Sequence, residues 1–267
     1  MKAGIIGYAQ SGKTTLFNIL TGAGASTGFA AKDQVNIGVA RVPDPRLLKL
    51  SRMFRPVKTT PATVDYMDLP GVAKGEFKTG TQLLTLKNAD ALVHVIRAFE
   101  DPQNPHPEGS VNPARDLTSF ELEMILSDLA SIETRLERLG KDLKRARSAD
   151  LEAENRLLDR LKTHLEQEKP LREIHLEPGQ SKRVRGFSFL SLKPEIIVLN
   201  LSESDVGIVG NAVHHFGLKT WDGRPRLGFS AVCGKIEAEI SELSEEDART
   251  FLKELGFSEP EIGRAHV

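Results

Sequence analysis

The chain has 267 residues and a formal net charge of -1 at pH 7, with 27% charged residues of both signs. This balance excludes a protein held on nucleic acid by a strong overall positive field, and predicts no sequence-specific DNA partner. The length allows one large domain, or one domain with an appendage. A single cysteine excludes an internal disulfide, and no signal peptide or apolar run of membrane-spanning length is seen, so we expect a cytoplasmic protein without a membrane partner.

The first motif is a glycine-rich loop. Residues 7–15 read Gly-Tyr-Ala-Gln-Ser-Gly-Lys-Thr-Thr, which matches the P-loop pattern G-x-x-x-x-G-K-T. An apolar run over 2–7 predicts a strand before the loop, and the residues from Leu16 onward predict a helix after it. Backbone N–H groups of the loop and the positive end of the helix would attract phosphate. The predicted nucleotide-binding residues here are Gln10, Ser11, Gly12, Lys13, Thr14 and Thr15.

Two of these residues are expected to take part in the chemistry. Lys13 would reach the β- and γ-phosphate oxygens, and the Thr14 hydroxyl would bind Mg²⁺. The small, glycine-rich residues 21–35 predict a loop in the position of a first nucleotide-dependent switch, although an ordinary surface loop is the alternative.

Three further elements are predicted: a strand over 36–42, a helix over 46–54 and a strand over 62–68. A second motif that would contact the phosphates stands at the end of the last strand. The last strand ends in Asp68-Leu-Pro-Gly71, a D-x-x-G. Asp68 could hold Mg²⁺ through a water, and the Gly71 N–H could bond the γ-phosphate, so Gly71 joins Lys13 and Thr14 as a catalytic candidate.

The residue after this motif bears on the rate of hydrolysis. Many GTPases place a glutamine there to orient the attacking water, whereas this chain has Val72. We therefore expect slow hydrolysis, or the use of another group.

The middle of the chain predicts a buried strand followed by a helical hairpin. The strand covers 91–97 and contains His94, which we interpret as a core histidine rather than a catalytic one. The hairpin is predicted to pair two helices across the basic tip 141–147, which is either a soluble turn or a contact to RNA or another acidic partner. Its apolar positions are spaced as in a coiled coil; they are Leu122, Ile125, Leu129, Ile132, Leu136, Leu139, Leu143, Leu151, Leu158, Leu161 and Leu165, with Glu154 interrupting the second helix.

A strand over 194–199 leads into the residues that would recognise the base. Asn200-Leu201-Ser202-Glu203 stands where GTPases usually carry N-K-x-D. The aspartate of that motif accepts two hydrogen bonds from guanine, but the carboxylate of Glu203 lies one methylene further out. We therefore favour a relaxed or adenine-preferring site, while Asn200 could still bond the loop or the base edge.

The last predicted strand, 226–231, overlaps a second base-pocket motif. Ser230-Ala231-Val232 matches an S-A-x turn whose backbone would line the base, and Cys233 beside it is either a packed or a redox-sensitive thiol. A short helix over 212–216 carries His214 and His215, interpreted as surface or packing residues. Helical stretches over 236–243 and 245–255 follow.

Several of these segments together resemble one group of proteins, the YchF/Obg-like ATPase family of P-loop proteins. The likeness runs in order over nearly the whole chain. The segments that carry it are the P-loop with Leu-Phe-Asn18, Asn36-Ile-Gly-Val39, Val42-Pro-Asp-Pro-Arg-Leu47, Pro61-Ala-Thr-Val-Asp65, Val111-Asn-Pro-Ala-Arg-Asp116, Asn200-x-x-Glu203 and Ser230-Ala-x-x-x-Lys-Ile-Glu-Ala-Glu239.

The resemblance implies a P-loop NTPase domain with a coiled-coil insert. It also implies binding and hydrolysis of ATP, often with GTP accepted, association with the ribosome (its large subunit or the assembled particle), and a link to stress responses. Val72 fits this family, which keeps an apolar residue at that position.

Two departures from the family qualify what it implies. Family members usually carry a threonine in the first switch, a candidate Mg²⁺ ligand, whereas Ala31 or a neighbour falls there and Thr27 is the nearest threonine. Family members also continue into a C-terminal TGS domain of the β-grasp type, and since this chain stops at Val267, that domain is expected to be absent.

The sequence thus predicts an α/β fold, a doubly wound, mostly parallel sheet with an inserted antiparallel helical hairpin. The nucleotide-binding domain would comprise 1–115 and 190–267, and the insert with its linker 116–189. Three functions remain open: a slow Mg²⁺-dependent ATPase that acts with the ribosome, a guanine-preferring GTPase switch, and a non-catalytic module in which nucleotide gates binding of a partner.

Overall fold

The computed structural model describes residues 1–25, 35–71, 81–146 and 148–254, and in these residues a six-stranded sheet forms the centre. The strands lie in the order β2-β3-β1-β4-β5-β6, and all neighbouring pairs are parallel except β2 with β3. The strands are β1 (Lys2–Ile6), β2 (Asn36–Arg41), β3 (Thr63–Asp68), β4 (Ala91–Ala98), β5 (Glu195–Leu201) and β6 (Leu227–Val232). This confirms the predicted fold class.

Helices cover both faces of the sheet. The helices are α1 (Lys13–Thr21), α2 (Pro45–Phe54), α3 (Thr81–Lys87), α4 (Pro113–Arg145), α5 (Ala149–Leu165), α6 (Pro178–Val184), α7 (Ala212–His215), α8 (Gly234–Glu242) and α9 (Glu245–Glu254). On one face, Leu16 and Phe17 of α1 pack on β1, β3 and β4. On the other face, Leu86 of α3 and Phe120 of α4 form a second cluster with residues of β1 and β3.

The central strands are apolar because both of their faces are covered. All residues of β4 but the first are buried, and β5 is nearly as enclosed. His94 lies within β4, and its Nδ1 atom is 3.1 Å from Oε1 of Glu195 on β5. This agrees with the prediction of a core histidine. Each strand predicted from sequence lies within two residues of an observed one.

The topology brings the chain's polar motifs to one edge of the sheet. Parallel strands end at a common edge, so the segments that follow β1, β3, β4, β5 and β6 meet there. The antiparallel strand β2 begins at the same edge, because Asn36 pairs with Asp68 in the register of β2 and β3.

The helical hairpin is built from α4 and α5. α4 has 33 residues, which corresponds to a length of about 50 Å. From Ile125 onward, α4 shares a buried cluster with α5 that contains Ile125, Ile132, Leu139 and Leu161, among others. The predicted apolar seam is wrong at Leu122, which is exposed.

A polar pair crosses the hairpin where the sequence suggested an interruption. Arg135 of α4 donates two hydrogen bonds to the Glu154 carboxylate, at 2.7 and 2.8 Å, and α5 continues through this position as a regular helix. The fork geometry of an arginine and a carboxylate makes such a pair specific as well as attractive. It therefore helps to fix the register of the two helices.

Buried charges fasten the hairpin to the sheet. Arg172, which follows α5, contacts Glu121 of α4 at 2.7 Å and Glu195 of β5 at 2.6 Å. Farther along α4, the Asp128 carboxylate accepts hydrogen bonds from the backbone N–H groups of Leu190 and Ser191. Removing one partner of such a buried pair leaves a charge uncompensated, which is strongly destabilising.

α4 begins on the sheet and continues into the hairpin, since Leu117 and Phe120 near its start lie in the clusters that cover the strands. The division of the chain into a nucleotide domain and an insert at residue 116 stays a prediction. Across the described ranges, every helix is too short or too polar to cross a membrane.

Candidate functional site

The P-loop connects β1 to α1 and requires glycine at both ends. Gly7 has φ 141° and Gly12 has φ 97°, backbone conformations that side chains disfavour. A Cβ atom on Gly7 would lie 2.3 Å from the Val95 carbonyl oxygen, and one on Gly12 would lie 2.2 Å from Nδ2 of Asn200. The two glycines of the sequence motif are therefore fixed by close packing as well as by backbone geometry.

Lys13 is the first residue of α1, and its side chain folds back over the P-loop. Its Nζ atom donates a hydrogen bond of 2.8 Å to the Tyr8 carbonyl oxygen, and the side chain is buried. Burial lowers the pKa of Lys13 from its ordinary value to about 8, and the nearby Asp68 carboxylate opposes this shift. An ammonium group in this place gains strongly from any anion that comes to rest on the loop.

The Asp68 carboxylate is the meeting point of three elements. Its Oδ2 atom accepts a hydrogen bond from the Thr14 hydroxyl at 2.9 Å and another from the Asn36 amide at 3.1 Å. The other oxygen, Oδ1, is buried and forms no hydrogen bond with the residues that the structure describes. α1, β2 and β3 thus converge on one side chain that still has an unused acceptor.

This donor set suits Mg²⁺. Hydroxyl and carboxylate oxygens are the ligands that Mg²⁺ prefers, and it is usually held by one or two protein groups, with water and nucleotide phosphates completing the shell. Thr14 and the free Oδ1 atom of Asp68 meet that description. Within the residues that the structure describes, no cluster of three or more His, Cys, Asp or Glu side chains is placed to hold a metal.

Gly71 of the D-x-x-G motif lies against the P-loop. A Cβ atom added to it would approach Cα of Ala9 to 2.6 Å and its backbone nitrogen to 2.8 Å. The contact between these two segments therefore requires glycine. The residues that follow, including Val72, lie outside the described part of the chain, as do Ala31 and Thr27 of the predicted first switch.

Asn200, at the carboxyl end of β5, joins the P-loop to the segment after β6. Its Nδ2 atom donates to the Ser11 carbonyl oxygen at 3.0 Å, and its Oδ1 atom accepts from the Gly234 N–H at 3.0 Å. Both bonds are buried. The sequence left open whether Asn200 bonds the loop or the base edge, and here its amide bonds the backbone of the P-loop and of Gly234.

The other predicted base-end residues fall into two groups. The Leu201 side chain is buried among Leu199, Ala212 and Leu218, so only its backbone faces away from the core. Glu203 is exposed, and its Oε2 atom accepts a hydrogen bond of 2.8 Å from Nζ of Lys235 in α8.

The prediction of a turn at Ser230-Ala231-Val232 is wrong. These residues form the last part of β6, and the chain leaves the sheet only at Cys233, just before α8. Their register with Val198, Leu199 and Asn200 explains the strand, because each pairs with a residue of β5.

Other predicted residues have plain packing roles. Thr15 is half-buried in the first turn of α1, and Cys233 is buried, with the pKa of its thiol raised by that burial. A raised pKa disfavours a reactive thiolate. The His215 ring packs edge-on against Phe216 at 4.9 Å.

Sequence reasoning missed several groups around the P-loop. Asn36 and Lys235 both lie in segments that carry the family resemblance. The sequence therefore singled out these segments, but it did not reveal the hydrogen bonds that the two side chains form. The loop after β4 contains no motif from which a role could be predicted. Its Asn104 accepts a hydrogen bond from the Gln10 amide at 3.3 Å, and its His106 packs edge-on against the Tyr8 ring at 6.5 Å.

The chain is similar to several known proteins. A family model described as "50S ribosome-binding GTPase" matches residues 2–121. The chain is 36% identical over 266 residues to the "Ribosome-binding ATPase YchF" of Bacillus subtilis, covering 97% of this chain and 72% of that protein. The protein of the same name from Escherichia coli O157:H7 is 35% identical over 98% of this chain and 73% of its own length.

A solved structure has the same fold. The "YchF GTPase" of Schizosaccharomyces pombe superposes with a TM-score of 0.80 at 24% sequence identity, covering 99% of this chain and 73% of that one. The bacterial relatives are thus named as ATPases and the fission yeast protein as a GTPase, so these names leave the base preference open.

The depressed pKa of Lys13 predicts that nucleotide binding takes up a proton under alkaline conditions. At about pH 9 much of the free protein carries a neutral Lys13, and bound phosphates would restore the ammonium by raising its pKa. Below the free-protein pKa the ammonium is already present, so the uptake disappears. Calorimetric titration with nucleotide in buffers of different ionisation enthalpy measures this proton.

The matched variant is Lys13→Arg, because a guanidinium keeps its proton throughout this range. Proton uptake that is unchanged in that variant would assign the proton to another group.

The two hydrogen bonds of Asn200 predict a link between folding stability and nucleotide binding. Asn200→Ala leaves the Ser11 carbonyl and the Gly234 N–H without partners, at a cost of about 1–3 kcal/mol for each group that stays buried. We expect a lower free energy of unfolding and weaker nucleotide binding together, measured by urea denaturation with and without nucleotide. Asn155→Ala, at a residue bonded to Asp159 within α5, should change neither.

Proposed function

Because the chain belongs to the YchF family, we propose that it is a Mg²⁺-dependent ATPase that acts together with the ribosome. Its relatives carry the name ribosome-binding ATPase over nearly the whole of this chain. The matching family model covers the P-loop, the D-x-x-G motif and the first four strands. GTP as a second substrate is compatible with both.

One observation carries this proposal: the Thr14 hydroxyl, the Asp68 carboxylate and the buried Lys13 ammonium lie together beside the P-loop. Phosphoryl transfer needs positioned positive charge and little covalent chemistry from the protein. Lys13 and the backbone N–H groups from Gln10 to Thr14 would stabilise the charge that develops on the phosphate. The Gly71 N–H would add a further donor from the second motif.

We propose Thr14 and Asp68 as the metal-holding residues. When bound, Mg²⁺ supplies charge neutralisation between the β- and γ-phosphates. On the protein side, the Thr14 hydroxyl now donates to Asp68, so it would have to turn its lone pair towards the ion. The Asn36 amide remains bonded to Asp68 and keeps the carboxylate oriented.

For the base, we propose a relaxed site in which ATP is preferred. Guanine recognition of the N-K-x-D type needs a carboxylate that is free to accept two hydrogen bonds, whereas the Glu203 carboxylate is paired with Lys235. The residues proposed to line the base are Asn200, Leu201, Glu203, Ser230, Ala231 and Val232. The alternative is a guanine-preferring switch in which Glu203 reaches the base through a water.

A non-catalytic, nucleotide-gated module is the remaining candidate. The observation in its favour is α4, because Phe120 in its first half packs edge-on against Tyr8 of the P-loop at 5.7 Å while its second half forms the hairpin. A conformational change in the P-loop could be transmitted to a partner through this helix without any hydrolysis. We infer a cytoplasmic location for either function, since the ribosome would be the partner.

The ATPase proposal predicts phosphate release from ATP that requires both Mg²⁺ and Lys13. Removing one donor to the transition-state charge typically costs about 10²–10³-fold in rate, and we expect Lys13→Ala to lose at least that much. Phosphate release by the purified chain, measured with and without Mg²⁺, tests this. Lys169→Ala, at an exposed lysine after α5, should retain full turnover.

Turnover that persists in Lys13→Ala would point to a contaminating enzyme. Tight, Mg²⁺-dependent binding of ATP with no turnover would select the non-catalytic module instead.

The base proposal predicts that Glu203→Asp shifts the preference towards GTP. The shorter carboxylate would lose its reach to Lys235 and gain the geometry that accepts two bonds from guanine, a gain of about 1–3 kcal/mol. Competition of ATP and GTP against one labelled nucleotide measures the change. Lys235→Ala serves as the partner variant, because it frees the carboxylate without shortening it. If the native protein already binds GTP more tightly than ATP, the base proposal is wrong and the guanine-preferring switch is favoured.

A further inference from the structure

The exposed apolar surface of this protein is concentrated in one stretch of the chain. Of the twelve large apolar side chains found exposed in the described residues, seven lie between residues 37 and 57. Scattered exposed apolar residues are ordinary on a protein surface, but a concentration of them marks an interaction site. These seven are Ile37, Val39, Leu48, Leu50, Met53, Phe54 and Val57.

Most of them lie on or just after α2, a helix that has no buried residue. Leu50, Met53 and Phe54 occupy positions i, i+3 and i+4, so they share one side of the helix. An isolated helix of this length is marginal in water, because most helical stability comes from packing of an apolar side. The exposed side of α2 therefore lacks, in the described structure, the contact that usually stabilises such a helix.

The same stretch is strongly basic, although the chain as a whole is close to neutral. Residues 41–58 contain six cationic side chains and a single carboxylate, Asp44, which gives a formal charge of +5. Asp44 caps α2 and pairs with Arg46. Among the described residues, no ion pair is formed by the other cations, which are Arg41, Lys49, Arg52, Arg55 and Lys58.

The strand that precedes α2 adds an open edge. β2 is the outermost strand of the sheet on its side and pairs only with β3 in the described part of the chain. Its outer edge carries backbone donors and acceptors that another chain could use. Ile37 and Val39 are exposed on this strand.

We propose that the α2 surface, defined as α2 with Val57 and the edge strand β2, is a docking site for an acidic amphipathic segment of a partner protein. Apolar side chains of that segment would cover Leu50, Met53 and Phe54, and its carboxylates would meet Lys49, Arg52 and Arg55. Within this surface, α2 follows the end of β2 that lies away from Asp68, whereas the other end of β2, at Asn36, borders the candidate nucleotide site.

Charge and surface chemistry select this occupant over others. A second copy of the chain would bring two surfaces of charge +5 together, and such like-charge contacts cost several kcal/mol. A lipid bilayer would leave the backbone groups of the β2 edge unpaired, which hydrocarbon penalises. Single-stranded RNA binds on aromatic platforms, whereas six of the seven exposed side chains are aliphatic.

The test uses the whole chain and a labelled synthetic peptide. The peptide is an amphipathic helix with leucines on one side and glutamates flanking them, and its control carries lysines in place of the glutamates. We expect saturable binding of the acidic peptide by fluorescence anisotropy, weakened by salt, and no binding of the lysine peptide. The double variant Met53→Ser with Phe54→Ser should bind at least about ten-fold more weakly.

Leu126→Ser is the matched control, since Leu126 is a comparably exposed leucine on α4, and it should bind like the native protein. A nucleotide titration of the double variant that matches the native protein shows that the variant is folded.

The proposal is overturned if the acidic peptide fails to saturate, if the lysine peptide binds equally, or if the double variant retains full affinity. It is equally overturned if a uridine oligonucleotide, or vesicles of phosphatidylcholine and phosphatidylserine, bind in preference to the peptide and lose that binding in the double variant. Concentration-dependent dimerisation abolished by the same variant would assign the surface to a second copy.

Discussion

The Asp68 carboxylate is the constraint on which the phosphate end of the site depends. One of its oxygens accepts hydrogen bonds from the Thr14 hydroxyl of α1 and the Asn36 amide of β2, while the other is buried without a partner among the described residues. An unpaired buried acceptor is costly, so a structure retains it where a ligand will use it. Because β3 ends at Asp68, the parallel sheet itself sets the position of the carboxylate that we propose as a metal-holding group.

At the other end of the candidate site, a single side-chain amide, that of Asn200, holds the surrounding segments together. It ties the P-loop backbone to the start of α8, so the loops after β1, β5 and β6 form one unit. Glu203 and Lys235 then close an exposed ion pair beside that unit. Exposed ion pairs contribute little to stability, so breaking this pair would cost the fold little.

Local pattern was enough to predict the six strands and most of the helices, although α3 and α6 were not predicted. The continuous apolar runs in β4 and β5 and the spacing of Gly7, Gly12 and Lys13 each reflect a short-range requirement. Contacts between distant residues carried no such signal: Arg172 lies in a polar stretch, yet it pairs with carboxylates on α4 and β5. Likewise, only the register with β5 reveals that Ser230 to Val232 continue the strand.

The most direct test of the site is the Mg²⁺ dependence of ATP binding in the native chain and in Asp68→Asn, with the melting temperature of each as the check on folding. If Asp68 and Thr14 hold the metal, Mg²⁺ should tighten ATP binding by at least about ten-fold in the native protein and should have little effect in the variant. An equal gain from Mg²⁺ in a folded Asp68→Asn protein would contradict the assignment of Asp68 as the group on which this site is built.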